Sequence, residues 1–227
     1  MADLRVSAVR AGSTLTTPLL VLPMFDREST LAGAYAEIDG RMSGALRGLL
    51  ERGDFRGRKD ETLILYPREG EISAERILLV GLGKAEDYTV ERLRRAVGTA
   101  IRTAERMGIT ALAFSLEHTM RSSERMGAGL AARAAAEAGV LAVWDFRELK
   151  TVLPEEDKPR PIEELKLVVG ADGGDVDNAI TIGVVCARSA NLARDLATKP
   201  GNIATPTYLA EVARQIASAH GNRKSVV

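Results

Sequence analysis

The chain has 227 residues, of which 45% are hydrophobic; 31 Lys or Arg balance 31 Asp or Glu, and there is one cysteine. That length allows one large or two small domains with a sizeable core, and the zero formal charge excludes a global field drawing the protein to nucleic acid or an anionic membrane. A lone cysteine excludes an internal disulfide. The opening Met1-Ala-Asp-Leu-Arg5 lacks the basic and apolar pattern of a secretory signal, and no stretch reaches the length of a membrane span, so a cytoplasmic location is expected.

In chain order the first half alternates strands with helices, which favours an α/β layer architecture over a bundle or sandwich. Val6–Val9 is a short strand candidate, and Leu19–Phe25 is a continuous apolar run bounded by Pro18 and Asp26, the pattern of a central strand covered on both faces. From Ser29, the residues Leu31, Tyr35, Ile38, Met42, Ala45, Leu46 and Leu49 recur at steps of three or four, giving one bent helix or two short ones around the weakening Gly40 and Gly44. Strands at Thr62–Tyr66 and Arg76–Val80 flank the turn-rich Pro67–Gly70, a hairpin-like connection that makes the sheet mixed.

Thr89 can cap a helix reaching Gly108, with Leu93, Val97, Ala100, Ile101 and Ala104 on one arc and Arg92, Arg95, Arg102 and Arg106 on the other. Ala111–Leu116 reads as a strand, and Gly127–Val143 as an Ala-rich helix thin enough to lie close against a sheet. Leu149–Glu163 carries Pro154, Pro159, Pro161 and a run of charge, marking a surface loop before the strand Leu165–Val169.

The stretch from Asn178 to Ala219 reads as two helices joined by a Pro-Gly elbow. Ile180, Val184, Ala187, Asn191 and Arg194 share one face that turns polar toward its end, and Lys199-Pro200-Gly201 stops that helix. Thr205 followed by Pro206 restarts it, Leu209, Val212, Ala213 and Ile216 continue on one face, and Gly221 ends it. Cys186, among Val184, Val185 and Ala187, is expected to be a buried, inert thiol. From about Asp177 onward the apolar helix faces need cover, so they must fold back on the preceding domain, pair with a second copy or fray.

Asn191, Arg194, Asp195, Leu196, Pro200, Asn202, Thr205, Pro206 and Leu209-Ala210 together resemble the leucyl aminopeptidase (cytosol aminopeptidase) family of two-metal exopeptidases, at the junction between their N-terminal and catalytic domains. Two more stretches agree in order, Arg76–Lys84 and Trp144–Lys150; Trp144 and Thr198 stand where relatives often have Tyr and Asn. The resemblance implies an α/β fold for residues 1–170, a mixed sheet flanked by helices and similar to the macro domain. A connecting helix over 171–199 and a truncated start of the catalytic domain over 200–227 follow. It further implies an intact enzyme that removes N-terminal residues, Leu among them, using two divalent cations, zinc or manganese. The implied assembly is a hexamer with domains like this one outside, and the catalytic domain of the same polypeptide is the expected partner. The family's catalytic and metal-binding residues fall downstream, so no catalytic, cofactor-binding or metal residue is assigned within this chain.

Other constellations carry less chemistry. Gly81-Leu-Gly-Lys84 lacks the earlier glycine and following Ser or Thr of a Walker loop, having Leu78 and Ala85, and lacks the third glycine of a dinucleotide fingerprint, having Glu86. A strand-end turn fits it better. Asp172–Asp177 gathers three carboxylates without EF-hand spacing, and Gly183 stands where a bidentate acid would be needed. His118 and His220 have no cysteine or acid at zinc spacing, and there is no Gly-x-Ser-x-Gly elbow. The arginine stripe could neutralise phosphates, but Glu91 and Glu105 flank it and a solvated face is the favoured reading. A nucleic-acid-binding module and an ADP-ribose or nucleotide module stay open as alternatives.

Overall fold

In the structure, a computed structural model, residues 4–10, 15–28, 30–121, 126–149, 160–170, 176–219 and 221 are described. The strands β1 (Arg5–Arg10), β2 (Leu20–Phe25), β3 (Thr62–Leu65), β4 (Ile77–Gly83), β5 (Ala111–Ser115) and β6 (Glu164–Val169) form one sheet in the order β1-β6-β5-β2-β4-β3. Every neighbouring pair is parallel except β3 with β4, so the sheet is mixed as expected. The apolar run at Leu20–Phe25 is an inner strand with parallel neighbours on both sides.

Strict alternation of side chains sorts these strands into two cores. Val21, Leu78, Val80, Phe114, Leu165 and Leu167 point to the face covered by α3 (Val90–Arg106) and α5 (Ala128–Ala142). Leu22, Met24, Ile77 and Leu79 point to the other, covered by α1 (Ala34–Arg41) and α2 (Ala45–Arg52). The helix anticipated from Ser29 begins only at Ala34: Gly33 precedes it with φ 57 and ψ −134, a conformation outside the helical region, and Leu31 packs on the core from the preceding segment. It is also two helices, because Ser43 and Gly44 both take positive φ. Gly44 brings no side-chain cap to α2; the buried Asp39 supplies one instead, its Oδ1 accepting from the Arg47 amide at 3.0 Å.

Thr89 caps α3 as its position suggests, accepting a hydrogen bond from the Arg92 amide. A short α4 (Glu117–Arg121), not foreseen in the sequence, follows β5 directly. The Ala-rich α5 does lie close to the sheet: a Cβ at Gly139 would stand 2.6 Å from Leu165 Cδ2. Outside it runs α6 (Val176–Thr198), and then α7 (Pro206–Ala219). Residues 150–159 and 171–175 and the segment 225–227 lie outside the described residues, so the proline-rich loop and most of the acidic stretch carry no structural account.

Ile180 and Ala187 of α6 are buried on the main core, Val184 packs partly buried against it, and Asn191 is buried at the end of the same stripe. Cys186 is not buried. At about 100° per residue it falls far around the helix from the Ile180–Ala187 stripe, and its thiol is exposed, with Arg133 Nη2 3.9 Å away. Apolar neighbours in sequence misled there, because on a helix they occupy other faces.

Gly81 has no room for a side chain. A Cβ there would stand 1.8 Å from the Arg58 carbonyl oxygen, where the 57–61 loop returns its amide of Asp60 to Gly81 and takes the amide of Gly81 at Glu61. Gly81→Ala is expected to cost about 3 kcal/mol or more by urea denaturation, since backbone rather than a flexible side chain must move. Gly98→Ala, in mid-α3 with open space at its Cβ, is expected to stabilise by up to about 1 kcal/mol.

Candidate functional site

In sheets with parallel strands, residues just past the carboxyl ends of adjacent strands converge, and that edge is where ligands ordinarily bind. Here the chain leaving β2 carries Glu28, that leaving β4 carries Tyr88, and that leaving β5 carries Glu117, His118 and Thr119. His118 Nε2 lies 2.7 Å from Glu28 Oε2, across 90 positions of sequence, and the same oxygen accepts the Phe25 amide at 3.1 Å. Both side chains are mostly buried, at 13% and 18% exposure. The imidazole also stands against two rings, with centroids 4.9 Å from Tyr35 and 5.7 Å from Phe25, and Tyr88 meets Phe25 edge-on at 5.1 Å.

The phenols here are proton donors held neutral. Burial drives Tyr35 well above its usual value, with Glu28, Glu117 and Tyr88 adding to the rise and the Ser115 hydroxyl opposing it; its own hydroxyl donates to the Pro23 carbonyl at 2.8 Å. Burial pushes Tyr88 up to about 12, opposed by Thr119. Thr119 donates its hydroxyl to the Leu116 carbonyl at 2.8 Å, and among the described residues the Tyr88 hydroxyl has no well-formed hydrogen bond. The arrangement holds an imidazole and a carboxylate in fixed contact. Its chemistry is that of a buried polar clasp joining three strand ends.

His118 therefore has an acid partner that no local spacing revealed; the signal was that Glu28 and His118 each follow a strand of the same parallel set. His220 and residues 172–175 lie outside the described residues, which leaves Asp177 in the first turn of α6. Among the described residues no group of three or more His, Cys, Asp and Glu could hold a metal ion, so the residues present do not fit a two-cation centre. The loop at Gly81-Leu-Gly-Lys84 is no phosphate cradle either: the amides of Gly81 and Gly83 are spent on the Glu61 and Gly57 carbonyls, and Gly83 turns the chain with φ 77. The arginine stripe is largely engaged. Arg95 pairs with Glu91 at 3.8 Å, Arg102 with Glu105 at 3.0 Å, Arg92 reaches the Leu82 carbonyl and Arg106 the Thr103 hydroxyl.

The junction residues form a second assembly. Asn191 Nδ2 donates to the Val140 carbonyl at 3.0 Å, and Arg194 Nη1 donates to the Leu141 carbonyl at 3.3 Å and to Asn191 Oδ1 at 3.2 Å. Those carbonyls belong to the last turn of α5, which has no intrahelical donors for them. Arg194 also stacks over Trp144, whose indole donates to Asp195 Oδ1 at 2.9 Å. Lys199 bonds Glu148, which holds its ammonium pKa up, and sits over the Phe146 and Tyr208 rings. Trp144–Glu148 and Asn191–Lys199 are thus two halves of one clamp, while α7 buries none of its residues and leaves Leu209 and Ile216 exposed.

Two substitutions test the clasp. His118→Ala empties the space between Phe25 and Tyr35 and strips Glu28 of its imidazole; a loss of about 2–4 kcal/mol is expected in chemical denaturation. Tyr88→Phe should change stability at neutral pH by less than about 1 kcal/mol, because little hydrogen bonding is lost. A phenol whose folded pKa is raised keeps its full contribution below its ordinary 10.0 and loses it as pH climbs through about 12, so Tyr88→Phe should flatten the decline of stability over that window.

Comparison with known proteins gives the family. The N-terminal domain of the cytosol aminopeptidase family matches residues 21–152. A protein of Thermosynechococcus vestitus named "Probable cytosol aminopeptidase" is 35% identical, covering 89% of this chain and 39% of its own length. One of the same name from Roseiflexus castenholzii is 36% identical, over 93% and 40%. Among solved structures, a mutant of tomato leucine aminopeptidase superposes with a TM-score of 0.76 at 22% identity, covering 96% of this chain and 43% of that one. The bottromycin maturation enzyme BotP does so with 0.64, over 91% and 38%. At those identities the structural matches speak to fold.

Proposed function

Because the chain belongs to the cytosol aminopeptidase family through that family's N-terminal domain, we propose that it is the non-catalytic part of a metal-dependent aminopeptidase. In this reading the intact enzyme removes N-terminal residues from peptides in the cytoplasm, and the part described here serves assembly or regulation. What carries the reading is a proportion: the chain spans about two fifths of the length of the curated relatives it matches, at 39% and 40%. The chemistry would then belong to the remaining three fifths.

Two divalent cations would supply a water nucleophile and polarise the scissile carbonyl in the catalytic part. The bottromycin maturation enzyme BotP has been solved in complex with Mn, which supports manganese among the candidates. No step of hydrolysis is routed through the described residues, which include no group that could hold a cation. Residues 1–170 act as the N-terminal domain with the macro-like sheet that the resemblance implies, 171–199 as the connecting helix, and 200–227 as the beginning of the catalytic part. The partner for the exposed Leu209 and Ile216 is that catalytic part, and the hexamer is the assembly in which such domains lie outside.

The test is direct. With a leucine chromogenic amide and added manganese or zinc, the 227-residue chain is expected to show no turnover above the metal-only background. Chelator-sensitive hydrolysis by this chain would contradict the reading.

A further inference from the structure

Beside the clasp, between the C-terminal end of α2 and the loops at 26–28 and 53–56, lies a cavity of 370 Å³, in the range of small-ligand sites. Phe55, fully buried, and Leu50 supply its apolar wall, while Arg27, Arg47 and Arg56 and the carboxylates of Glu28 and Glu51 supply charge. These charges are not all spent on one another. Arg47 is committed to Asp39, at 3.6 Å. Among the described residues the guanidinium groups of Arg27 and Arg56 have no hydrogen bond or ion pair, and neither does the Glu51 carboxylate. Glu28 gives one oxygen, Oε2, to His118 and the Phe25 amide and keeps Oε1.

The backbone around the cavity is fixed. Arg27 sits at φ 57, a left-handed conformation that a non-glycine residue adopts at a cost, and it is held there by its amide donating to the Arg56 carbonyl at 2.8 Å. That bond ties the two arginine-bearing loops together, so their side chains leave the same rim.

A phosphate dianion would meet two carboxylates here, and a simple cation would meet three arginines. A ligand that carries both signs satisfies both sets. We propose that this cavity binds a small zwitterion of the α-amino acid or dipeptide class, its carboxylate on Arg27 and Arg56, its ammonium on Glu28 and Glu51, and its aliphatic side chain on Leu50 and Phe55. Planar guanidinium groups match a carboxylate with paired donors. The inference stands on the cavity alone: it can fail while the peptidase reading holds, and it can hold if that reading fails.

Calorimetric titration of the 227-residue chain with L-leucine, leucinamide and 4-methylpentanoate separates the two charges. Saturable binding of leucine is expected, with leucinamide and 4-methylpentanoate each weaker by about tenfold or more. Arg27→Gln with Arg56→Gln, both exposed and checked for an unchanged melting curve, should erase the preference for leucine over leucinamide. If that double variant does not fold, the three-ligand series on the unaltered chain decides. No saturation by about 10 mM leucine, equal affinity for leucinamide, a folded double variant that still prefers leucine, or tighter binding of adenosine monophosphate would each overturn the proposal.

Discussion

The C-terminal third of this chain depends on one close helix crossing. A Cβ at Gly183 of α6 would stand 2.4 Å from the Arg133 carbonyl of α5, so the two backbones meet with no side chain between them. That approach lets Ile180 and Ala187 reach the main core, which α5 itself shares through its alanines. It also puts Asn191 and Arg194 within reach of the open carbonyls at the end of α5. A bulkier α5 or a residue other than glycine at 183 would lift α6 and break both the apolar and the polar parts of the contact.

The sheet edge and the clamp divide the molecule's polar groups by purpose. At the carboxyl ends of β2, β4 and β5, Glu28, His118 and the two phenols are packed into a mostly buried clasp that fastens strand ends together. At the end of α5, Trp144, Asn191, Arg194 and Asp195 fix the direction in which the chain leaves the sheet domain. Asn191, Arg194 and Asp195 thus have a mechanical role: they fix the direction of α6 against the end of α5. Beyond the elbow, where Thr205 accepts the Tyr208 amide and starts α7, the apolar positions have no cover from the described residues.

Much of this was legible in the sequence because its carriers are local. Unbroken apolar residues placed β2 inside the sheet, the Thr89 cap and the opposed arcs placed α3, and Thr205-Pro206 placed the start of α7. What was hidden depends on distant pairing or on helix angle. Glu28 and His118 have no spacing that links them; only the parallel order of β2 and β5 does. Cys186 was misplaced because apolar neighbours in sequence are not neighbours on a helix face. At Gly81 it is the nearby Arg58 carbonyl, not backbone freedom, that demands glycine, and that carbonyl comes from a loop distant in sequence. The cavity at Arg27 and Arg56 needed the left-handed turn at Arg27, which nothing in its residue type announces.

Among the described residues α6 belongs to the folded body while α7 buries none of its own. Hydrogen exchange on a dilute, monomeric sample of the 227-residue chain measures this directly. The amides of Ile180–Arg194 should be protected nearly as well as those of Ile77–Val80, with those of Leu209–Ile216 exchanging roughly a hundredfold faster or more. Equal protection of α7 and β4 in the monomer, or exchange in α6 as fast as in α7, would contradict the account.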